Sequence, residues 1–152
     1  MEMTLQILLI IILGILSYYD YIYFVIPNLL IFFLFTISII NLFYNGLHSS
    51  YLIGLVFGFV LFLIFYILFP KGIGFGDVKL AGAIGLFLGL KLTVLAILLS
   101  FFSGAVVGLL LIALGKKSMK DPIPFGPFLA FGAITSLFFG DFIINWYMNL
   151  FI

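Results

Sequence analysis

Six apolar runs follow one another along the chain, at residues 4–19, 28–45, 51–69, 73–90, 92–114 and 125–145, and short polar or glycine- and proline-bearing stretches separate them. A helix crosses a hydrocarbon core of about 30 Å with about 20 residues, so runs of this length predict membrane-spanning helices. The pattern therefore predicts an all-α, polytopic integral membrane protein with about six transmembrane helices. The same pattern predicts a single transmembrane domain over residues 1–152, with no soluble domain. The predicted connections are residues 20–27, residues 45–50, the glycine segment after Pro70, a tight turn at Lys91, and GKKSMKDPIP from Gly115 to Pro124. The first run lacks the basic leading region and small-residue cleavage site of a signal peptide, and so reads as the first span.

Composition agrees with this pattern and removes several kinds of chemistry. Of 152 residues, 66% are hydrophobic and only 7% charged, against about a quarter charged in a soluble domain. There is no cysteine, which excludes disulfides, thiolate catalysis and cysteine-ligated zinc. The net charge of +1 says little about partners, and nothing in the sequence points to nucleic acid.

The positive charges, all lysines, orient the spans, because Lys and Arg accumulate in cytoplasmic loops. Alternating spans put Lys71, Lys79, Lys116, Lys117 and Lys120 on one side and Lys91 alone on the other. The lysine-rich side is read as the cytoplasm of a prokaryotic plasma membrane, so both termini face outside. Glu2, His48 and Asp141 then lie at the outer face, with Trp146 and Tyr147 at interfacial depth. Asp20 and Asp77 fall on the cytoplasmic side, at the inner ends of spans one and four.

Depth sets Asp77 apart from a loop residue. A fourth span starting after Lys79 would run from Leu80 to Leu90, only 11 residues or about 16 Å at 1.5 Å per residue. Starting near Ile73 gives enough length, and it draws Asp77 inside the apolar boundary. Lys79 can snorkel back to the head groups, whereas the short Asp side chain cannot. An ionisable residue at that depth is by default a functional candidate.

Paired carboxylates can cleave a peptide without a metal, a cofactor or a nucleophilic side chain. The ionised member takes a proton from the attacking water, while the neutral one hydrogen-bonds the carbonyl oxygen and supplies a proton to the leaving amine. Two carboxylates held close in a low-dielectric site share one proton readily. Glycines at 72, 74 and 76 would let backbone pass close to a substrate, and non-helical backbone is tolerated at this depth where it lines a wet cavity.

These residues carry a resemblance. Gly74-Phe75-Gly76-Asp77 resembles the GxGD signature of intramembrane aspartic proteases, and GDVKLAGAIGLFLG, Gly76 to Gly89, is similar to the form found in type IV prepilin peptidases. Asp20, with Ile26-Pro27-Asn28 downstream, resembles that family's first catalytic aspartate. IPFGPFLAFG, Ile123 to Gly132, resembles the motif that opens its last helix. The three blocks lie in family order from the first span to the last.

The resemblance implies a catalytic dyad of Asp20 and Asp77. Gly74, Gly76, Lys79, Phe125 and Gly126 are candidate substrate-binding or cavity-lining residues. It also implies a substrate: a pilin-like or flagellin-like precursor with a short basic leader ending in Gly, followed by an apolar helix. Bacterial prepilin peptidases commonly carry a cytoplasmic domain with paired cysteines and also N-methylate the new amino terminus. With no cysteine here, the resemblance is to a peptidase-only short form. Presenilin-like relatives share GxGD but have a Pro-Ala-Leu motif that is absent here.

Two other classes compete. A proton-coupled transporter would use Asp20 and Asp77 as proton carriers and would continue polar residues to the outer side, yet the span interiors are almost wholly apolar. A noncatalytic scaffold of a secretion apparatus would tolerate Asp-to-Asn changes. Among the other polar residues, Lys116, Lys117 and Lys120 read as topology determinants facing anionic head groups. Gly54/Gly58, Gly85/Gly89 and Gly104/Gly108 read as helix-packing pairs, and Pro122, Pro124 and Pro127 as setting the entry of the last helix.

Overall fold

A computed structural model describes residues 2–69, 72–118 and 121–151. Among them every regular element is a helix: α1 (Glu2–Tyr23), α2 (Asn28–Tyr44), α3 (Ser49–Leu68), α4 (Phe75–Ala113) and α5 (Gly126–Phe151). Four of these, all but the 17-residue α2, are long and apolar enough to cross a membrane. Lys71 and Lys120, which the charge reading used, lie outside the described residues.

The fourth and fifth predicted spans form the single 39-residue α4, which is broken at Gly89 (φ 76°, ψ 167°). That conformation is open essentially to glycine alone. Contacts along α3 establish that the chain reverses there. On the first arm, residues 75–88, Gly85 lies against Gly54 and Ala81 against Gly58. On the second arm, Phe101 returns to stack on Phe62 at 5.9 Å, well past Gly58 along α3. The sequence pattern expected this turn at the polar Lys91; the break falls two residues earlier, where a glycine permits it.

The reversal frees backbone groups that an apolar surrounding cannot satisfy, so nearby side chains take them up. The Leu90 N–H donates to Ser50 Oγ at 3.2 Å, Thr93 Oγ1 donates to the Gly89 carbonyl at 2.6 Å, and Asn41 Nδ2 donates to the Phe87 carbonyl at 3.0 Å. Ser38 Oγ similarly reaches the Ala83 carbonyl at 3.1 Å. The last two tie α2 to the first arm of α4, and bonds of this kind contribute about 1 kcal/mol each between membrane helices.

Helices in lipid gain nothing from hiding apolar surface from water, so they associate through close packing. A Cβ built on Gly54 would lie 2.5 Å from the Gly85 carbonyl oxygen, so α3 and α4 meet backbone to backbone, as the small-residue spacing predicted. The second arm of α4 runs antiparallel to α5: Leu92 lies against Gly140, Ser100 against Gly132, and Phe128 against Gly104. The core at the centre of the bundle contains Leu9, Leu13, Leu34, Phe62, Ile84 and Leu129. Lys91 Nζ and Asp141 Oδ1 pair at 2.9 Å at the end opposite the GxGD motif, both side chains well exposed.

Candidate active site

The last helical turn of α1 carries Asp20, and the first turn of α4 carries Asp77. Both are buried, with 6% and 7% of their surface exposed. They line one cavity of about 460 Å³, walled by Phe24, Val25, Ile26 and Asn28 after α1, by residues 72–76 leading into and opening α4, and by residues 122–125 before α5. The cavity is thus made by three irregular segments converging at one end of the bundle, which is where non-helical backbone is tolerated in a membrane protein.

Each carboxylate is fixed by a backbone N–H at the start of a helix. Asp20 Oδ2 accepts from the Gly126 N–H at 2.8 Å, and Gly126 is the first residue of α5. Asp77 Oδ2 accepts from the Gly74 N–H at 3.0 Å, capping its own helix. Unsatisfied N–H groups and the positive end of the helix dipole make such positions favourable for anions. Asp77 Oδ1 is buried and, among the described residues, has no hydrogen-bond partner. A buried carboxylate oxygen left open beside a cavity is free to engage a ligand or water there.

Two glycines are needed for close approach. A Cβ on Gly126 would stand 2.7 Å from Asp20 Oδ2 and 3.1 Å from its Cγ. A Cβ on Gly76 would stand 2.9 Å from the Ile26 Cβ, so the segment after α1 can press against the GxGD turn only over a glycine. Gly74 contributes its N–H. Phe125 lines the cavity and packs at a tilt against Phe62 and Phe101, with ring centroids at 5.7 and 5.1 Å, which seats the start of α5 on α3 and α4.

Lys79 does not pair with either aspartate among the described contacts. Its Nζ donates to Asn28 Oδ1 at 2.8 Å and lies over the Phe75 ring at 5.1 Å from its centroid. Asn28 is the residue that sequence reasoning passed over: it was visible as the last letter of Ile-Pro-Asn, yet only the fold brings it to the cavity. Phe24, another wall residue, has a positive φ of 53°, an uncommon conformation for a bulky side chain. Beyond the cavity, the Ser118 N–H donates to Asp121 Oδ2 at 2.6 Å and holds that exposed carboxyl below its ordinary range. Among the described residues no group of three or more His, Cys, Asp or Glu is placed to hold a metal ion.

Residues 7–109, more than half of the chain, match the type IV leader peptidase family, and the chain belongs to that family. It is similar to the prepilin leader peptidase/N-methyltransferase of Bacillus subtilis (strain 168), with 35% identity over 128 residues that cover 82% of this chain and 51% of the relative. The enzyme of the same name from Legionella pneumophila is 40% identical over 87 residues, 57% of this chain and 30% of the relative. That of Pseudomonas aeruginosa is 37% identical over 103 residues, 64% and 36%. The chain thus spans about half or less of the length of these relatives. No solved structure matches it.

Proposed function

We propose that this protein is a membrane-embedded aspartic endopeptidase that removes the basic leader from pilin-like or flagellin-like precursors. The observation that carries the reading is the pair Asp20 and Asp77, buried on two different helices and facing one cavity. Family membership supports the same activity, since the relatives are named prepilin leader peptidases.

In the proposed reaction one carboxylate of the pair is ionised and takes a proton from the attacking water. The other is protonated and hydrogen-bonds the scissile carbonyl oxygen, then passes its proton to the leaving amine. Each carboxylate keeps one oxygen on a helix-start N–H and has the other for chemistry. Gly126 and Gly74 therefore orient the dyad without competing for the substrate. The cavity is proposed to face the cytoplasm, with the chain crossing the membrane six times and both termini outside. Four helices have the length and hydropathy for a crossing, and the antiparallel arms of α4 and the 17-residue α2 supply the further segments that a sixfold crossing needs.

The proton-transporter reading finds less support. Buried Ser38, Asn41, Thr93 and Ser100 are engaged with backbone carbonyls, so these side chains are committed to holding the helices.

The test is to incubate the protein in liposomes with a pilin-like precursor from the same genome and to weigh the products. Release of a leader ending in Gly is expected. Intact precursor across several such subunits, with well-folded protein, would refute the reading.

A further inference from the structure

Asn28 stands at the mouth of the catalytic cavity, exposed, as the first residue of α2. Its backbone is set by Pro27, whose φ is −64° and whose carbonyl accepts from the Leu30 N–H. Ile26, just before it, is buried against Gly76 of the GxGD turn. The segment leading into Asn28 is therefore held in place, while the Asn28 side chain itself is exposed.

Lys79 fixes which way that side chain points. An ammonium group can only donate, so the Asn28 atom 2.8 Å from Lys79 Nζ is the oxygen, Oδ1. This settles by chemistry an orientation that geometry alone leaves open in most carboxamides. The NH₂ group takes the other position, and among the described contacts it has no partner. Lys79 is itself steadied by the ring face of Phe75. The result is an oriented neutral donor on the wall of a cavity whose two carboxylates are otherwise mainly acceptors. A bound peptide presents backbone carbonyls as well as N–H groups, and the carbonyls need donors of this kind.

We propose that the Asn28 carboxamide donates a hydrogen bond to a backbone carbonyl of the bound precursor, with Lys79 as the positioning residue that holds Asn28 in its donating orientation. This rests on the peptidase reading above and adds a substrate contact that the dyad does not supply. Lys79 then contributes through Asn28, not by neutralising an aspartate.

The experiment compares wild type, Asn28→Ala, Lys79→Met, Lys79→Arg and the Asn28→Ala/Lys79→Met double variant in liposomes, measuring kcat and KM for a pilin-like precursor and the thermal melt of each. Loss of one neutral donor made equally to bound substrate and transition state raises KM about tenfold and leaves kcat within about threefold. Lys79→Met moves KM the same way, Lys79→Arg restores most of it, and Lys79→Met adds nothing once Asn28 is Ala. Should Asn28→Ala fail to fold, Asn28→Asp keeps an acceptor for Lys79 and removes the donor, and it too raises KM.

An unchanged KM in a folded Asn28 variant, or an equal cost for Lys79→Met in both backgrounds, overturns the inference and leaves the peptidase reading standing. A wild-type protein that cleaves nothing overturns both.

Discussion

The N–H of Gly126 donates to Asp20 Oδ2 at 2.8 Å across 106 positions of sequence. That bond ties the end of the first helix to the start of the last, and it holds one carboxylate of the site in place. Gly74 does the same for Asp77 over three positions at 3.0 Å. One aspartate is therefore positioned by tertiary structure and the other by its own helix, and the two should respond differently to change.

Gly126→Ala tests the tertiary bond. The new methyl would stand 2.7 Å from Asp20 Oδ2, so either the carboxylate or the start of α5 must shift. Misplacing a catalytic group by about 1 Å costs on the order of 100-fold in rate. A fall of that size in kcat, with the melt lowered only modestly, is expected from a cleavage assay paired with a thermal scan.

Gly85→Leu should instead act on the fold. The α3 and α4 backbones touch at Gly54 and Gly85 with no room for a side chain, and forcing bulk into a close-packed contact costs about 1–3 kcal/mol or more. A clear drop in the detergent melting temperature, along with reduced folded yield, is the outcome to look for.

At the other end of the bundle, the Lys91–Asp141 pair is exposed on both partners, at 56% and 77% of their side-chain surface. Surface pairs of this kind contribute at most about 1 kcal/mol. Asp141→Asn is therefore expected to leave both the melt and the cleavage rate close to wild type, which makes it a control for the changes at Asp20 and Asp77.

A dyad that works with one proton between two carboxyls is active only while it holds that one proton. The rate against pH should form a bell, falling on the acid side when both groups are protonated and on the alkaline side when both are ionised. The two limbs belong to the pair and not to either residue alone. A kcat/KM profile measured at constant ionic strength would check this; a rate rising through a single step would argue against a shared proton.

The sequence pattern made some of this architecture readable, and where it fell short the reasons are physical. Asp77 stood out because the hydrocarbon thickness leaves no way to start its helix beyond it, and the structure indeed buries it in the first turn of α4. Asp20 was read at the end of a span closing at residue 19. In fact α1 continues to Tyr23: a charged residue ends an apolar run without ending a helix, and the first helix breaker after Asp20 is Pro27. The reversal was expected at Lys91, the polar residue, whereas the backbone requires a positive φ that only Gly89 supplies. The Lys79–Asn28 contact and the donor role of Gly126 depend on which helices neighbour each other, and no local pattern encodes that.

The central claim is that Asp20 and Asp77 together cleave the precursor, and the most direct measurement is the cleavage rate of the Asp20→Asn and Asp77→Asn variants in liposomes beside wild type, each verified as folded by its melt. Each substitution alone is expected to abolish leader removal, lowering the rate by at least about 1000-fold, and combining them should cost little more, since the pair acts as one unit. Either variant, folded and cleaving at the wild-type rate, would contradict the account.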